Sequence, residues 1–183
     1  MNALLALDEH LFRLMNEAWT HPVLDVVMPY LTDFDHWRIP LVVLLLVGLA
    51  RGSGSTRVGI LFAIVAVAAT DLLVDDAIKP WFERPRPFKE LDDVRKLIGA
   101  HDYSFPSAHA ANTFAAGVFL SLRFRGWWPS LLLAAVVAWS RVYCGVHYPL
   151  DILGGAVVGA ALGWFFTVVE TAARLRLVAR RTS

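Results

Sequence analysis

The sequence predicts an all-α protein: an integral-membrane bundle of about five transmembrane helices, preceded by an amphipathic helix at the membrane interface. Three observations carry this. Of 183 residues, 57% are hydrophobic, and mean hydropathy is +0.53, whereas soluble domains hold about 45–50% apolar residues even with glycine counted. The apolar residues fall in helix-length runs separated by short polar turns. The arginines concentrate in alternate turns, as the positive-inside rule requires of a multi-pass chain. The length allows one domain, divided into an N-terminal interfacial region (1–36), a bundle carrying the motifs (37–175) and a basic tail (176–183).

Each element has its own signal. Residues 3–19 place Leu4, Leu7, Leu11, Leu14, Met15 and Ala18 at helical spacing, with Asp8, Glu9, Arg13 and Glu17 elsewhere. That pattern fits a helix lying on the membrane or packed across the bundle end. The charges in this stretch, and the lack of a long apolar core, argue against a cleavable signal peptide. Residues 22–36 are a transition ending in Asp33, Asp35 and His36. Trp37–Ala50 is the first strongly apolar run and is short, since a perpendicular span needs about 20 residues. Either flanking residues complete it, or the segment from Val23 packs in as a bent half-helix.

Val58–Ile78 is the second span. It contains Asp71 and Asp75, four apart and in step with Lys79, which favours an ion-pair ladder on one helix face over a direct catalytic role. Residues 79–106 form a charged connection whose early prolines, Pro80, Pro85 and Pro87, prevent a long helix. A short helix is expected over Lys89–Ile98, ended by Gly99. Ser107–Leu122, Trp127–Val146 and Pro149–Leu175 are the third, fourth and fifth spans. The fifth carries Gly155, Gly159 and Gly163, a stripe that permits close packing within the bundle.

Five spans put the turns at Arg51/Arg57 and Arg123/Arg125 on one side with tail residues Arg174, Arg176, Arg180 and Arg181: eight arginines and no carboxylate. The positive-inside rule puts that side in the cytoplasm. The N-terminus and the long connection then face outward, to the periplasm or cell exterior of a bacterium. The net charge of +1 predicts no bulk attraction to nucleic acid, and Cys144 alone excludes an intramolecular disulfide or a multi-cysteine metal site.

The same topology brings three distant stretches to the outward face. Lys79 ends the second span, Ser107 starts the third, and His147 lies between the fourth and fifth. Lys79, Arg86, His109, Arg141 and His147 converge there without matching carboxylates, which implies an anionic ligand. Phosphate fits best, because arginine forks grip its oxygens in pairs and the helix start after Ser107 offers free N–H groups. Asp151, four residues after His147, can hold one imidazole nitrogen and leave the other free to attack or carry a proton. Taken alone, His147 and Asp151 fit a helix junction equally well, and Ser107 fits an N-cap.

Lys79-x6-Arg86-Pro87, Pro106-Ser107-Ala108-His109 and Ser140-Arg141-x5-His147-x3-Asp151 together resemble the three-part signature of the type-2 phosphatidic acid phosphatase superfamily, over roughly residues 57–170. Ala108 departs from the commoner Pro-Ser-Gly-His. Its methyl narrows the pocket and leaves the backbone N–H available. The resemblance implies a metal-independent phosphatase, with no cofactor, working through a phosphohistidine. His147 would be the nucleophile and Asp151 its orienting partner. His109 would be the acid and then the base, while Lys79, Arg86, Ser107, Ala108 and Arg141 would hold the phosphoryl oxygens. Arg84, also followed by proline, competes by eye with Arg86. The six-residue spacing from Lys79 selects Arg86, leaving Arg84 at the pocket rim or in solvent.

A site at the membrane face suits a lipid phosphate substrate in a bilayer, with no obligatory protein partner. Undecaprenyl diphosphate is the first expectation; phosphatidylglycerophosphate, phosphatidate and lipid A 1-phosphate are alternatives. A non-catalytic protein that binds or moves anionic lipid would explain the cations and the spans, but not two histidines at these spacings. A vanadate-dependent haloperoxidase would share the anion motifs, and the small apolar chain argues against it. A metallohydrolase is weaker still, because no His-x-x-x-His pair is present.

Overall fold

The structure, a computed structural model, describes residues 3–124 and 126–182, with side chains as far as Arg176. Arg125 and the side chains of Arg180 and Arg181, which contribute to the predicted arginine asymmetry, lie outside the described residues. The helices are α1 (Ala3–Arg13), α2 (Pro22–Thr32), α3 (Phe34–Arg51), α4 (Gly54–Leu72), α5 (Lys79–Phe82), α6 (Pro87–Glu90), α7 (Ala108–Arg123), α8 (Pro129–Tyr143) and α9 (Pro149–Thr182). π-helical turns follow α1 (Leu14–Ala18) and α4 (Leu73–Ile78). Among the described residues no strand occurs.

α7 is the central helix. It packs most extensively on α9 and also contacts α8 and α4. The sequence reason is the pairing of two small-residue faces. Ala110, Ala111 and Ala115 of α7 are fully buried against Gly155, Gly159 and Gly163 of α9. A Cβ on Gly159 would meet the Ala111 carbonyl carbon at 2.8 Å, and one on Gly163 the Ala115 oxygen at 2.5 Å. The glycine stripe therefore serves packing within the chain, as expected. Gly159→Val would force the two backbones apart, at a cost of about 1–3 kcal/mol or more. The expected result is a clear fall in the thermal midpoint of the detergent-solubilised protein; an unchanged midpoint would show that α7 and α9 do not touch this closely.

The outer surface is apolar. Leu41, Val42, Leu44 and Leu46 of α3, Leu61 and Val65 of α4, and Val157, Trp164 and Phe165 of α9 are all exposed. A soluble monomer would not carry so large an apolar belt. Two helical runs, Gly54–Glu90 and Pro149–Arg176, are long and apolar enough to cross a membrane, and α2 and α8 are shorter apolar helices. Residues 22–51 form two helices, broken at Asp33, whose carboxylate caps α3 through the Asp35 N–H at 3.0 Å. At the arginine-rich end one carboxylate is present after all: buried Glu170 pairs with Arg123 at 3.0 Å and Arg174 at 2.9 Å.

The N-terminal helix packs across the bundle end, with a different face inward from the one its leucines predict. Leu4 and Leu7 are exposed, while Asp8, Phe12 and Asn16 are buried. The π turn presents the Asn16 amide, which donates to the backbone oxygens of Arg95 (3.0 Å) and Tyr143 (2.8 Å) and accepts from the Arg95 N–H (3.0 Å). Those bonds also explain why the expected helix over 89–98 does not form. Helix α6 stops at Glu90, Leu91 is extended, and Asp93 is left-handed at φ 62°. Leu91 and Val94 pack with Phe12, Val142 and Tyr148, and Leu97 and Ile98 pack with Met28, Tyr143 and Cys144. The connection thus lies flat on the turn between α8 and α9. Gly145 there has φ +78°, and a Cβ on it would meet the Arg95 oxygen at 2.5 Å. Cys144 is a packing residue, fully buried in the cluster with Met28 and Tyr143.

Candidate active site

Three helix ends meet under the flat connection. Lys79 follows the π turn that extends α4, and its side chain is buried. Nζ pairs with Asp75 at 2.7 Å and with Asp102. Asp71 does not complete the predicted ladder. The π turn changes the helical phase after Leu72, and Asp71 accepts instead from the Asn112 amide at 2.6 Å.

Arg86 is extended because a proline follows it, and this sends its guanidinium inward, where it is 2% exposed. Nη1 donates to the Val146 oxygen at 2.7 Å and lies 3.1 Å from His147 Nε2; Nε donates to the Asp102 oxygen at 2.9 Å. Arginine has only hydrogens to offer. His147 Nε2 therefore presents its lone pair, and the ring proton sits on Nδ1. That proton faces Asp151 Oδ2 and the Ser104 hydroxyl oxygen, each 3.5 Å away. Burial pushes the His147 imidazole down to about 4; the Asp151 carboxylate opposes the shift and the Arg86 charge adds to it. The histidine is neutral at pH 7.

Asp151 is fully buried in the first turn of α9. Oδ2 accepts from the Ser104 hydroxyl and from the Tyr148 N–H at 2.7 Å; Oδ1 accepts from Arg84 Nη1 at 2.7 Å. Its backbone oxygen accepts from the Ser107 N–H at 3.0 Å, tying the start of α9 to the start of α7. Ser107 caps α7, its hydroxyl accepting from the Ala110 N–H at 3.4 Å. Ala108 and His109 follow as the first helical residues, whose N–H groups lack partners inside the helix. His109 lies near the Thr32 backbone and close enough to Arg141, His147 and Lys79 to feel their charge. Arg141, 6% exposed, donates to the Thr32 hydroxyl at 3.0 Å, and its Nε has no hydrogen-bond partner.

All eight residues singled out from the sequence therefore lie at one end of the bundle. One premise needs correction: the cations do have matching carboxylates. Asp102, at the tip of the connection, pairs with both Lys79 and Arg86. Arg84 is neither rim nor solvent. It bridges Asp151 and Asp8 (2.6 Å) and stacks on Tyr148, 4.1 Å from the ring centre. Ser104, Asp8, Thr32 and Asp102 were not marked by any motif. Only Arg84 carried a legible hint, in its repeated Arg-Pro. His21 caps α2 and His36 pairs with Asp33 at 3.1 Å, both away from the cluster.

A buried cation cluster beside a histidine–aspartate pair, at one end of a bundle of apolar helices, defines a membrane protein built to engage an anion. The PAP2 superfamily model matches residues 59–174, and the chain belongs to that superfamily. It is 44% identical over 98 residues to the putative undecaprenyl-diphosphatase YbjG of Escherichia coli strain K12, covering 52% of this chain and 50% of that one. It is 32% identical over 127 residues to a lipid A 4'-phosphatase of Bacteroides thetaiotaomicron, covering 62% and 56%. The chain thus spans about half the length of these two relatives. The crystal structure of a transmembrane PAP2-type phosphatidylglycerolphosphate phosphatase from Bacillus subtilis superposes with a TM-score of 0.76 at 25% identity, covering 94% of this chain and 88% of that one. With that neighbour and its own apolar helices, the chain is an integral membrane protein.

Proposed function

We propose that this protein is a lipid phosphate phosphatase that works through a phosphohistidine at His147. The observation that carries the reading is the His147 ring itself: Nε2 turns its lone pair toward Arg86 in a buried cation cluster, and Nδ1 is backed by Asp151. Nε2 attacks phosphorus; the P–N bond forms as the bond to the leaving oxygen breaks. His109 gives that oxygen its proton. It then takes one from a water that attacks phosphorus, breaks the P–N bond and releases phosphate. Asp151 stabilises the imidazolium while the bond exists. Arg141, with its unpartnered Nε, joins Lys79, Arg86, the Ser107 hydroxyl and the free N–H groups at Ala108 and His109 in holding the phosphoryl oxygens, a task that is mostly positioning and charge neutralisation.

The chain acts as one domain, in which α3, α4, α7, α8 and α9 cross the bacterial inner membrane and the cluster faces the periplasm or cell exterior. Undecaprenyl diphosphate is the preferred substrate, in keeping with the name of the Escherichia coli relative. The names of the other matches keep lipid A and phosphatidylglycerophosphate as alternatives, and phosphatidate completes the panel. The test is phosphate release by purified protein in detergent, with chelator present, on these four lipids. The ranking of rates decides the substrate. No release on any of them overturns the enzyme reading and favours a protein that binds or moves anionic lipid.

The pH dependence has a defined sign. Protonation removes the attacking lone pair, and a lowered imidazole keeps the ring neutral further into acid. The acid limb of phosphoenzyme formation is expected near pH 4, where an ordinary histidine would place it near 6.5. A limb at 6.5 in rapid-quench measurements would show that His147 is not held in this buried setting.

A further inference from the structure

Arg84 belongs to none of the three motifs, yet it makes the most direct ion pair to Asp151. The geometry points to Arg84 as a positioning residue of the reaction, held in place by Asp8, so that the N-terminal helix is a working part of the catalytic centre. This rests on the reading of His147 and Asp151 given above.

The contacts form a closed frame. Arg84 Nη1 donates to Asp151 Oδ1 at 2.7 Å and Nη2 to Asp8 Oδ2 at 2.6 Å. Asp8 Oδ1 accepts from the Leu150 N–H at 2.8 Å, one residue before Asp151. The Arg84 backbone oxygen accepts from the Ser104 N–H at 2.7 Å, and the Ser104 hydroxyl donates to the second oxygen of Asp151. Arg84 thus fixes one carboxylate oxygen directly and the other through Ser104. Tyr148 closes the face of the guanidinium.

The charges explain why the frame needs all three members. Asp8 and Asp151 are both buried carboxylates, with side-chain exposures of 1% and 0%. A single planar cation lies between them and donates to each. A buried carboxylate stripped of its partner either rotates toward another donor or takes up a proton. For Asp151 the Ser104 hydroxyl and the Tyr148 N–H already hold Oδ2, and the donor left for the freed carboxylate to close on is the His147 ring, 3.5 Å away. Losing Arg84 would therefore pull Asp151 toward His147, turn the imidazole and favour its protonated form. Asp8 acts one step further out. It fixes the far side of the guanidinium and the first turn of α9 together, so a helix that contributes no motif residue sets the angle of the Asp151 carboxylate.

The test compares Arg84→Gln, Arg84→Lys, Asp8→Asn and His147→Ala with the parent protein, on undecaprenyl diphosphate and phosphatidylglycerophosphate in detergent. Arg84→Gln is expected to lower kcat roughly 10–100-fold, the range for a misplaced reacting group, with KM within about twofold because no phosphoryl contact is lost. Its acid limb moves up toward pH 6.5. Arg84→Lys restores part of kcat, since one charge remains without the fork. Asp8→Asn keeps the shape but turns one of two acceptors into a donor, and lowers kcat by a smaller factor with KM unchanged. A merely structural role would reduce the amount of active protein and leave the pH limb where it was; that result overturns the proposal. If His147→Ala is inactive while Arg84→Gln keeps both kcat and limb, the Arg84 assignment alone fails. If His147→Ala releases phosphate normally, the nucleophile reading fails and the frame has nothing to position.

Discussion

His147→Ala is expected to abolish phosphate release, with a fall of roughly 10⁴-fold or more, the scale seen when a nucleophile is removed from a site whose parts act together. Two structural facts set this expectation. The Nε2 lone pair lies 3.1 Å from Arg86 Nη1. It also lies within reach of the Arg86 and Arg141 charges. Removing the ring leaves the cations in place, so substrate should still bind with a near-normal constant while no covalent phosphate forms. The check is an alkaline detergent quench with labelled lipid: the parent protein should trap a base-stable phosphoenzyme that acid then releases, and the variant none. Turnover by the variant at more than a few per cent of the parent rate would reject the nucleophile assignment. Loss of lipid binding along with turnover would instead make His147 a binding residue.

Asp102→Asn is expected to tighten inhibition by inorganic phosphate or vanadate roughly 10–100-fold. The carboxylate pairs with both Lys79 and Arg86 and sits at the tip of the connection, half exposed while its partners are buried. Under the proposed function it competes with a phosphoryl group for these two cations. A hydrogen bond to a charged partner contributes about 1.5–3 kcal/mol, equivalent to roughly one to two decades of affinity. Burial by itself would raise the Asp102 carboxyl. The hydrogen bond from Lys79 and the charge of Arg86 outweigh it and hold the group below the ordinary carboxylate range. Acid therefore does not relieve the competition at any working pH. Asparagine keeps the size and loses the charge, leaving buried Arg86 without a carboxylate partner and Lys79 with Asp75 alone. The variant should melt earlier than the parent and regain stability with added phosphate, because a ligand that binds only the folded state shifts its melting by mass action. An unchanged inhibition constant would show that the tip of the connection must leave for other reasons, or that phosphate binds elsewhere.

Much of this site was legible because its chemistry is written in local spacing. Lys79 and Arg86, Ser107 to His109, and Arg141 to Asp151 each lie within one helix end or one turn, so residue type and interval suffice to find them. The helical class was legible for the same reason, since apolar runs and punctuating arginines are local signals. The turn geometry also followed: Pro149 starts α9 and puts Asp151 in its first turn.

What local spacing could not show were the carboxylates that face these cations. Asp8 reaches Arg84 across 76 residues, and Asp102 reaches Lys79 across 23. Whether a charge is paired depends on which segments the bundle folds together, and no periodicity encodes that. The N-terminal helix shows the limit most plainly. Its leucines have the stronger apolar pattern, but in a membrane an apolar face is content outside. The face that turns inward is the one carrying Asp8, Phe12 and Asn16, because buried partners waited for it in Arg84, Tyr148 and the Arg95 backbone. The π turn after α4 likewise broke the predicted ladder by rotating Asp75 and Lys79 away from Asp71. Sequence alone determined the helical class, the family and the candidate residues that meet at one end of the bundle, since each is fixed by neighbours along the chain. Tertiary structure decided which carboxylates oppose them and which helix frames Asp151, since those depend on electrostatic pairing in a low-dielectric interior between residues far apart in sequence.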